Sequence, residues 1–220
     1  MSNSSLVSYT RFSPNKTSPR NHKIDTITIH CTAGLSTLEG LGEHFAKSST
    51  QASCNYAVDS NGKIGLYVRE SDRSWCSSNR ENDNRAITIE VVTSAIPPYI
   101  CSEAAAKALV GLLVDICKRN NIPKILWSND RSLCGKPERQ NVTLHKWFAS
   151  KDCPGDYLLG LFPNIFYEVN KRLLPSESVS RETVYGVGVE FLSKSEAEHF
   201  AESLRKQGHN CFIITQEIDK

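Results

Sequence analysis

The sequence predicts an α/β fold, a mixed central β-sheet covered by helices, followed by a small C-terminal βαβ unit. Three observations predict it. Two runs, Ile24–His30 and Ala86–Val92, have the alternation and β-branched content of buried strands. Two others, Ala104–Arg119 and Asn164–Leu173, place apolar residues at helical spacing. Strands and helices also alternate along the chain, as sheet-and-helix layers require.

The opening segment 2–23 is polar, contains Pro14 and Pro19, and reads as an irregular arm. After the first strand, Ser36-Thr-Leu-Glu39 has the form of a capping box. It opens a helix to about Lys47, with Leu38, Leu41 and Phe45 on one face. A hairpin follows, with runs 54–59 and 63–69 joined through Asn61-Gly62, a pair that tolerates the positive φ of a tight turn. A polar loop containing Trp75 leads to the strand 86–92. The helix 104–119 carries Ala105, Leu109, Leu112, Leu113 and Ile116 as one stripe, and Pro123 bars its continuation. A short strand over 124–128 and a helix over 164–173, with Pro163 near its first turn, complete a catalytic-sized domain over residues 1–174. Residues 175–182 read as a linker, and 183–220 as strand, helix and strand, with Ser193-Lys-Ser-Glu196 opening the helix and Gly208 ending it.

A chain of 220 residues with 39% hydrophobic and 23% charged side chains is expected to fold as a globular protein. The net charge of +2 divides unevenly: residues 1–174 carry 21 basic and 16 acidic groups, and 175–220 carry 5 and 8. Neither part has the field expected of a nucleic-acid or membrane binder, so no nucleic acid and no membrane partner is expected. No apolar run approaches the roughly 20 residues of a membrane span. Met1–Thr10 has no charged and apolar tract of a signal peptide, so synthesis in the cytoplasm is expected. The eight cysteines do not form a disulfide pattern, and most lie within apolar runs as small hydrophobes.

The chemistry lies in a few positions. On the first strand Ile27 and Ile29 point one way, while Thr26, Thr28 and His30 point the other, and Cys31 faces away from His30. The strand 86–92 repeats this arrangement, with Thr88 and Glu90 opposite Ile87, Ile89 and Val91. A carboxylate inside so apolar a run needs a partner or a task. Pairing with Arg85 or Lys151 for structure is one reading, and catalysis is the other. Further on, His145 and Cys153 are good zinc donors, and a His2Cys set leaves a fourth position open, as a catalytic zinc requires. Spacing alone leaves open whether His30, His145 and Cys153 belong together.

Four segments together resemble the N-acetylmuramoyl-L-alanine amidase family, the type-2 amidase domain of phage endolysins, autolysins and peptidoglycan-recognition proteins. They are Thr28-Ile-His-Cys-Thr-Ala-Gly34, Asn55-Tyr56 before a hairpin, Asn84-Arg-Ala-Ile-Thr-Ile-Glu90, and His145 followed by Lys151-Asp-Cys-Pro-Gly155. The resemblance spans roughly residues 22–174. It implies one Zn2+ held by His30, His145 and Cys153, Glu90 as general base, and Lys151 and Tyr56 polarising the scissile carbonyl. The substrate implied is bacterial peptidoglycan, cut between N-acetylmuramic acid and L-alanine. Trp75, Asn55 and Trp147 are candidate substrate contacts. Many family members have a Trp-His pair after the hairpin, where this chain has Trp75-Cys76, so the role of that histidine is open here. With no signal peptide expected, an endolysin that reaches the wall after release is the leading reading. A non-catalytic peptidoglycan-recognition protein and a metal-free cysteine peptidase of wall cross-links, using for example Cys54 with His145, are the alternatives. The C-terminal unit is similar to half of a SPOR-type peptidoglycan-binding repeat, which suggests wall targeting or homodimerisation.

Overall fold

The computed structural model describes residues 2–34, 36–174 and 193–206. The expected linker 175–182, the strands on either side of the last helix, and Gly208 lie outside them. The chain divides into two units, Met1–Pro175 and Ser176–Lys220. In the second, α5 (Lys194–Lys206) opens as the sequence predicts and carries an exposed Lys206–Glu202 pair at helical spacing, 3.0 Å apart.

The first unit holds a six-stranded sheet. Its strands are β1 (Tyr9–Thr10), β3 (Thr26–Cys31), β4 (Tyr56–Val58), β5 (Ile64–Leu66), β7 (Ala86–Val91) and β8 (Val142–Thr143). They run in the order β1-β5-β4-β7-β3-β8, and only the β4–β5 pair is antiparallel. A separate antiparallel ribbon joins β2 (Lys16–Thr17) to β6 (Arg73–Ser74). The helices are α1 (Leu38–Ala46), α2 (Arg80–Arg85), α3 (Glu103–Arg119) and α4 (Asp156–Leu173). The architecture is thus the mixed, helix-covered sheet expected.

One face of the sheet builds the main core. Ile27, Ile29, Ile87, Ile89 and Val91 pack with Leu109, Leu112, Leu113 and Ile116 of α3 and with Phe162 and Phe166 of α4. Each fully buried side chain of this size stabilises by about 1.5–3 kcal/mol, so this face dominates the apolar stabilisation. On the opposite face α1 covers a smaller cluster through Leu38, Leu41 and Phe45, packed on Ala57 and Tyr67. The rest of that face is polar, and hydrogen bonds fix it. Thr28 and Thr143 hydroxyls lie 2.8 Å apart, and Asn82 of α2 donates to Thr28 at 3.0 Å while accepting from Thr143 at 2.8 Å. Buried hydroxyls and amides are tolerated because each has such a partner.

The opening arm is tied down rather than loose. Arg20 is buried and donates to the carbonyl oxygens of Glu70 (2.6 Å), Asp72 (2.9 Å), Asn84 (2.9 Å) and Ala86 (3.1 Å). Burial lowers its pKa to about 10, partly offset by Glu70, so it remains a cation.

Four local expectations are corrected. Thr37, not Ser36, caps α1, accepting from Gly40 N–H at 3.0 Å. Glu39 then falls one position short of closing the box. Residues 124–128 form no strand: the Asn141 side chain accepts from Leu126 N–H and donates to the Lys124 carbonyl, both at 2.8 Å. Val142–Thr143 takes the place beside β3 instead. The helix expected from Asn164 begins at Asp156, with Pro163 inside it; Pro163 is exposed, so its ring meets no packed element. The expected polar loop contains α2, whose Asn79 cap accepts from Asn82 N–H at 2.9 Å.

The hairpin matches expectation. Gly62 takes φ 79°, and the Asp59 carboxylate accepts from the backbone of Asn61 and Lys63 at 2.9 and 2.8 Å. A side chain at Gly62 would also meet the Ala104 carbonyl at 2.9 Å.

Candidate active site

Parallel pairing sets His30 beside Glu90 in register, one residue from the carboxyl ends of β3 and β7. Ligand sites in α/β folds favour these strand ends. Cys153 arrives from the loop before α4. Its Sγ lies 3.4 Å from His30 Nδ1 and accepts from Cys31 N–H at 3.4 Å. The His30 and His145 rings meet edge to face at 5.0 Å. The ligating atoms of His30, His145 and Cys153 all lie within 4.8 Å of one another. An open pocket of about 810 Å³ faces them, lined also by Glu90, Lys146, Lys151 and Tyr99.

The scaffold explains why His145 is fixed. It opens a single 3-10 turn, His145–Trp147, whose Trp147 is buried and stacked on Trp127 at 5.9 Å. Lys146 N–H donates to the Cys153 carbonyl at 3.2 Å, closing the loop between the two candidate ligands. The Ser78 hydroxyl sits 3.2 Å from His145 Nε2. Past Cys153, Gly155 takes φ 83°, and a Cβ there would strike Tyr99 Cδ2 at 2.7 Å. Just beyond it, Tyr157 N–H donates to the Pro98 carbonyl at 3.2 Å and ties the loop to the segment that carries Tyr99.

The electrostatics suit a metal. Burial, then His145, lowers the pKa of His30 to about 3, and burial, then Lys151, lowers that of His145. Both imidazoles are therefore neutral at physiological pH, the form that binds a cation. The Cys153 thiol is pushed up by its hydrogen bond with Cys31 and by burial, so it gives up its proton only to a strong competitor such as a metal ion. Glu90 is raised to about 8 by burial, then by Cys31. His30 Nε2 and Glu90 Oε2 are buried without a hydrogen-bond partner. Typical Zn–N and Zn–S bonds of about 2.0–2.1 and 2.3 Å put tetrahedral ligands about 3.5 Å apart. The 3.4 Å between His30 Nδ1 and Cys153 Sγ agrees, so the residues present fit zinc.

Other expected site residues lie elsewhere. Tyr56 pairs with Ile89, on the core face of the sheet. Its hydroxyl donates to Glu70 at 2.6 Å and accepts from Ser4 N–H at 2.9 Å. Burial and Glu70 push its pKa well above the usual phenol range. It is a structural hydroxyl, remote in direction from the pocket because strand alternation turns it away from Glu90. Asn55 is fully buried and spends its amide on Val68 and Arg69 carbonyls and on Thr88 N–H. Trp75 Nε1 donates to Thr17 in the arm at 3.0 Å. With Trp147 buried in the core, none of the three candidate substrate contacts lines the pocket. Lys151 does line it, exposed at the rim.

Sequence reasoning missed Ser78, Tyr99 and the thiols of Cys31 and Cys76. Cys31 lies in the main core cluster, the direction that alternation expects, yet its backbone N–H reaches Cys153 Sγ and it lines the pocket at the strand end. Cys76 lies 3.9 Å from Glu90 Oε1, and its ligating atom is within 4.8 Å of those of His30 and Glu90. The Asn79 cap and the acidic first turn of α2 were the available signal for the Ser78 loop.

A strand-end pocket with two neutral histidines, a thiol and a buried carboxyl brings together groups that could hold a metal ion and move a proton. The profile of the N-acetylmuramoyl-L-alanine amidase family matches residues 20–156, and the chain belongs to that family of enzymes. Solved structures similar to it include PlyL, at 18% identity and TM-score 0.55, covering 73% of this chain and 95% of that one. The endolysin N-acetylmuramoyl-L-alanine amidase LysCS from Clostridium intestinale URNW is 17% identical with TM-score 0.54, covering 74% and 93%. AmpD, at 14% identity and TM-score 0.54, covers 74% and 95%. At such identities the likeness is one of fold. No curated protein sequence matches the chain. Among the described residues no helix is long and apolar enough to cross a membrane.

Proposed function

We propose that this chain is a zinc-dependent amidase that hydrolyses the bond between N-acetylmuramic acid and L-alanine in bacterial peptidoglycan, acting as a phage or prophage endolysin. The observation that carries the zinc reading is the convergence of the ligating atoms of His30, His145 and Cys153 within 4.8 Å of one another, beside a pocket that His145, Cys153 and Glu90 line. Family membership supports the reaction, and the similar folds of PlyL and LysCS support the endolysin setting.

His30, His145 and Cys153 would hold the ion, which supplies Lewis acidity and a water whose pKa falls to about 7. Glu90 takes a proton from the attacking water and returns it to the L-alanine amine as that amine leaves. A positive charge in the three-residue set favours the ionised form of Glu90, opposing the burial that raises its pKa. Lys151, exposed at the rim, donates to the developing oxyanion, an interaction worth on the order of 3 kcal/mol. Tyr56 takes no part. Tyr99 forms part of the pocket wall. For the unit beyond residue 176, wall targeting remains the proposed role, with homodimerisation as the competing one.

The pairing of Cys54 with His145 for a cysteine peptidase finds no support, because Cys54 is fully buried in the cluster under α1 and lines no part of the pocket. Metal content and turnover of Cys153→Ser test the proposal. Loss of both zinc and amide hydrolysis, with wall binding retained, is expected. Full hydrolysis by a zinc-free Cys153→Ser protein would refute it.

A further inference from the structure

We propose that Cys31 and Cys153 form a reversible disulfide that removes the thiolate from the His30–His145–Cys153 set, making the pocket redox-sensitive. The inference rests on the zinc reading above for its consequence, but on geometry alone for the pairing. Cys31 directly follows a ligand candidate on β3, and its backbone N–H reaches Cys153 Sγ at 3.4 Å. Cys153 also packs against the core cluster that contains Cys31. Both residues line the same open pocket, so a small oxidant reaches them. The other described cysteines lack this combination. Cys54, Cys101 and Cys117 are buried in apolar clusters, Cys134 ends a short turn and does not line the pocket, and Cys76 faces Glu90.

The chemistry is thiol–disulfide exchange with a low-molecular-weight disulfide such as oxidised glutathione. The Cys31 thiol passes its proton to solvent and attacks one sulfur, forming a mixed disulfide and releasing one glutathione thiolate. The Cys153 sulfur, a thiolate in the zinc-loaded protein, then attacks the Cys31 sulfur, releasing the second glutathione. Two electrons go to the oxidant, and two protein thiols become one disulfide. A disulfide sulfur is not the donor form that metals bind, so the site falls to two histidines. Reduction by a dithiol restores the third ligand.

The test uses the full-length protein loaded with zinc and treated with oxidised glutathione. Zinc release is followed with a colorimetric chelator, thiols are counted, and disulfides are mapped by peptide mass spectrometry. Expected is one zinc released per two thiols lost, a linked pair of peptides carrying Cys31 and Cys153, and rebinding of zinc after reduction. Zinc release from Cys31→Ser should slow at least tenfold, with Cys31→Ala as the second variant if serine impairs folding. Separate alkylation of Cys31 and Cys153 after zinc loss, or release from both variants at the unsubstituted rate, overturns the proposal. If the reduced protein takes up no zinc, the amidase reading fails, while the peptide map still decides the cysteine pairing.

Discussion

Replacing Tyr56 with phenylalanine separates what the fold does with this residue from what family resemblance expects of it. The hydroxyl donates to Glu70 at 2.6 Å and accepts from Ser4 N–H at 2.9 Å, both in a buried setting. Glu70 keeps Arg119 at 2.7 Å and Asn120 at 3.0 Å, so its carboxylate is not orphaned by the change. Loss of a charge-assisted hydrogen bond and of the partner of one buried amide costs about 2–3 kcal/mol. For a domain of this size that lowers Tm by roughly 4–12 °C. Because the hydroxyl faces away from the pocket, kcat/KM on purified peptidoglycan should stay within about twofold. Thermal unfolding and turnover, measured on the same preparation, decide the matter. A fall in kcat on the order of 10²-fold with Tm unchanged, the mark of a lost oxyanion donor, would refute the placement of Tyr56 in the core.

Three further outcomes follow from particular contacts. Glu90→Gln should retain one zinc per chain while kcat falls by about 10²–10⁴, checked by metal analysis beside turnover; unchanged kcat would remove Glu90 from the proton path. Ser78→Ala removes the hydroxyl 3.2 Å from His145 Nε2, and zinc affinity measured by competition should weaken about 10–100-fold. Asp72 carries a pH dependence: burial alone would raise its pKa, but hydrogen bonds from Lys16 and Ser18 outweigh this and hold it below the usual value. Its contribution is therefore present above the unfolded pKa of about 3.9 and is lost as pH falls through the lower folded value. Asp72→Asn should cost about 1 kcal/mol at pH 7, with Lys16 partly exposed, and the difference should close in strong acid. Denaturant unfolding across pH reads it.

The fold was legible where side-chain periodicity reports burial. The alternation in β3 and β7 set Ile27, Ile29, Ile87 and Ile89 against His30 and Glu90, and the sheet has that arrangement. The α3 stripe was equally plain. Periodicity failed where side chains replaced a ladder: residues 124–128 look like a strand, but the side chains of Asn141, Asn170 and Gln140 bond their backbone. It also failed at α2, six polar residues whose stability comes from the buried Asn82 network rather than from an apolar face. The spacing of His30, His145 and Cys153 left their convergence open, and resemblance supplied it. Resemblance misled at Tyr56, where the strand register turns the phenol into the core. Alternation gave the direction of Cys31 into the core cluster, but it held no sign of the Cys153 loop, which comes over the strand end and meets the Cys31 backbone there.

The central claim, that this pocket makes the chain a zinc amidase of peptidoglycan, is tested most directly by the new chain ends released from purified wall with and without a strong chelator. The account predicts free L-alanine amines and no new reducing sugar, with release abolished by chelation and restored by added zinc. Release of other amino termini, or of L-alanine amines undiminished by chelation, would contradict it.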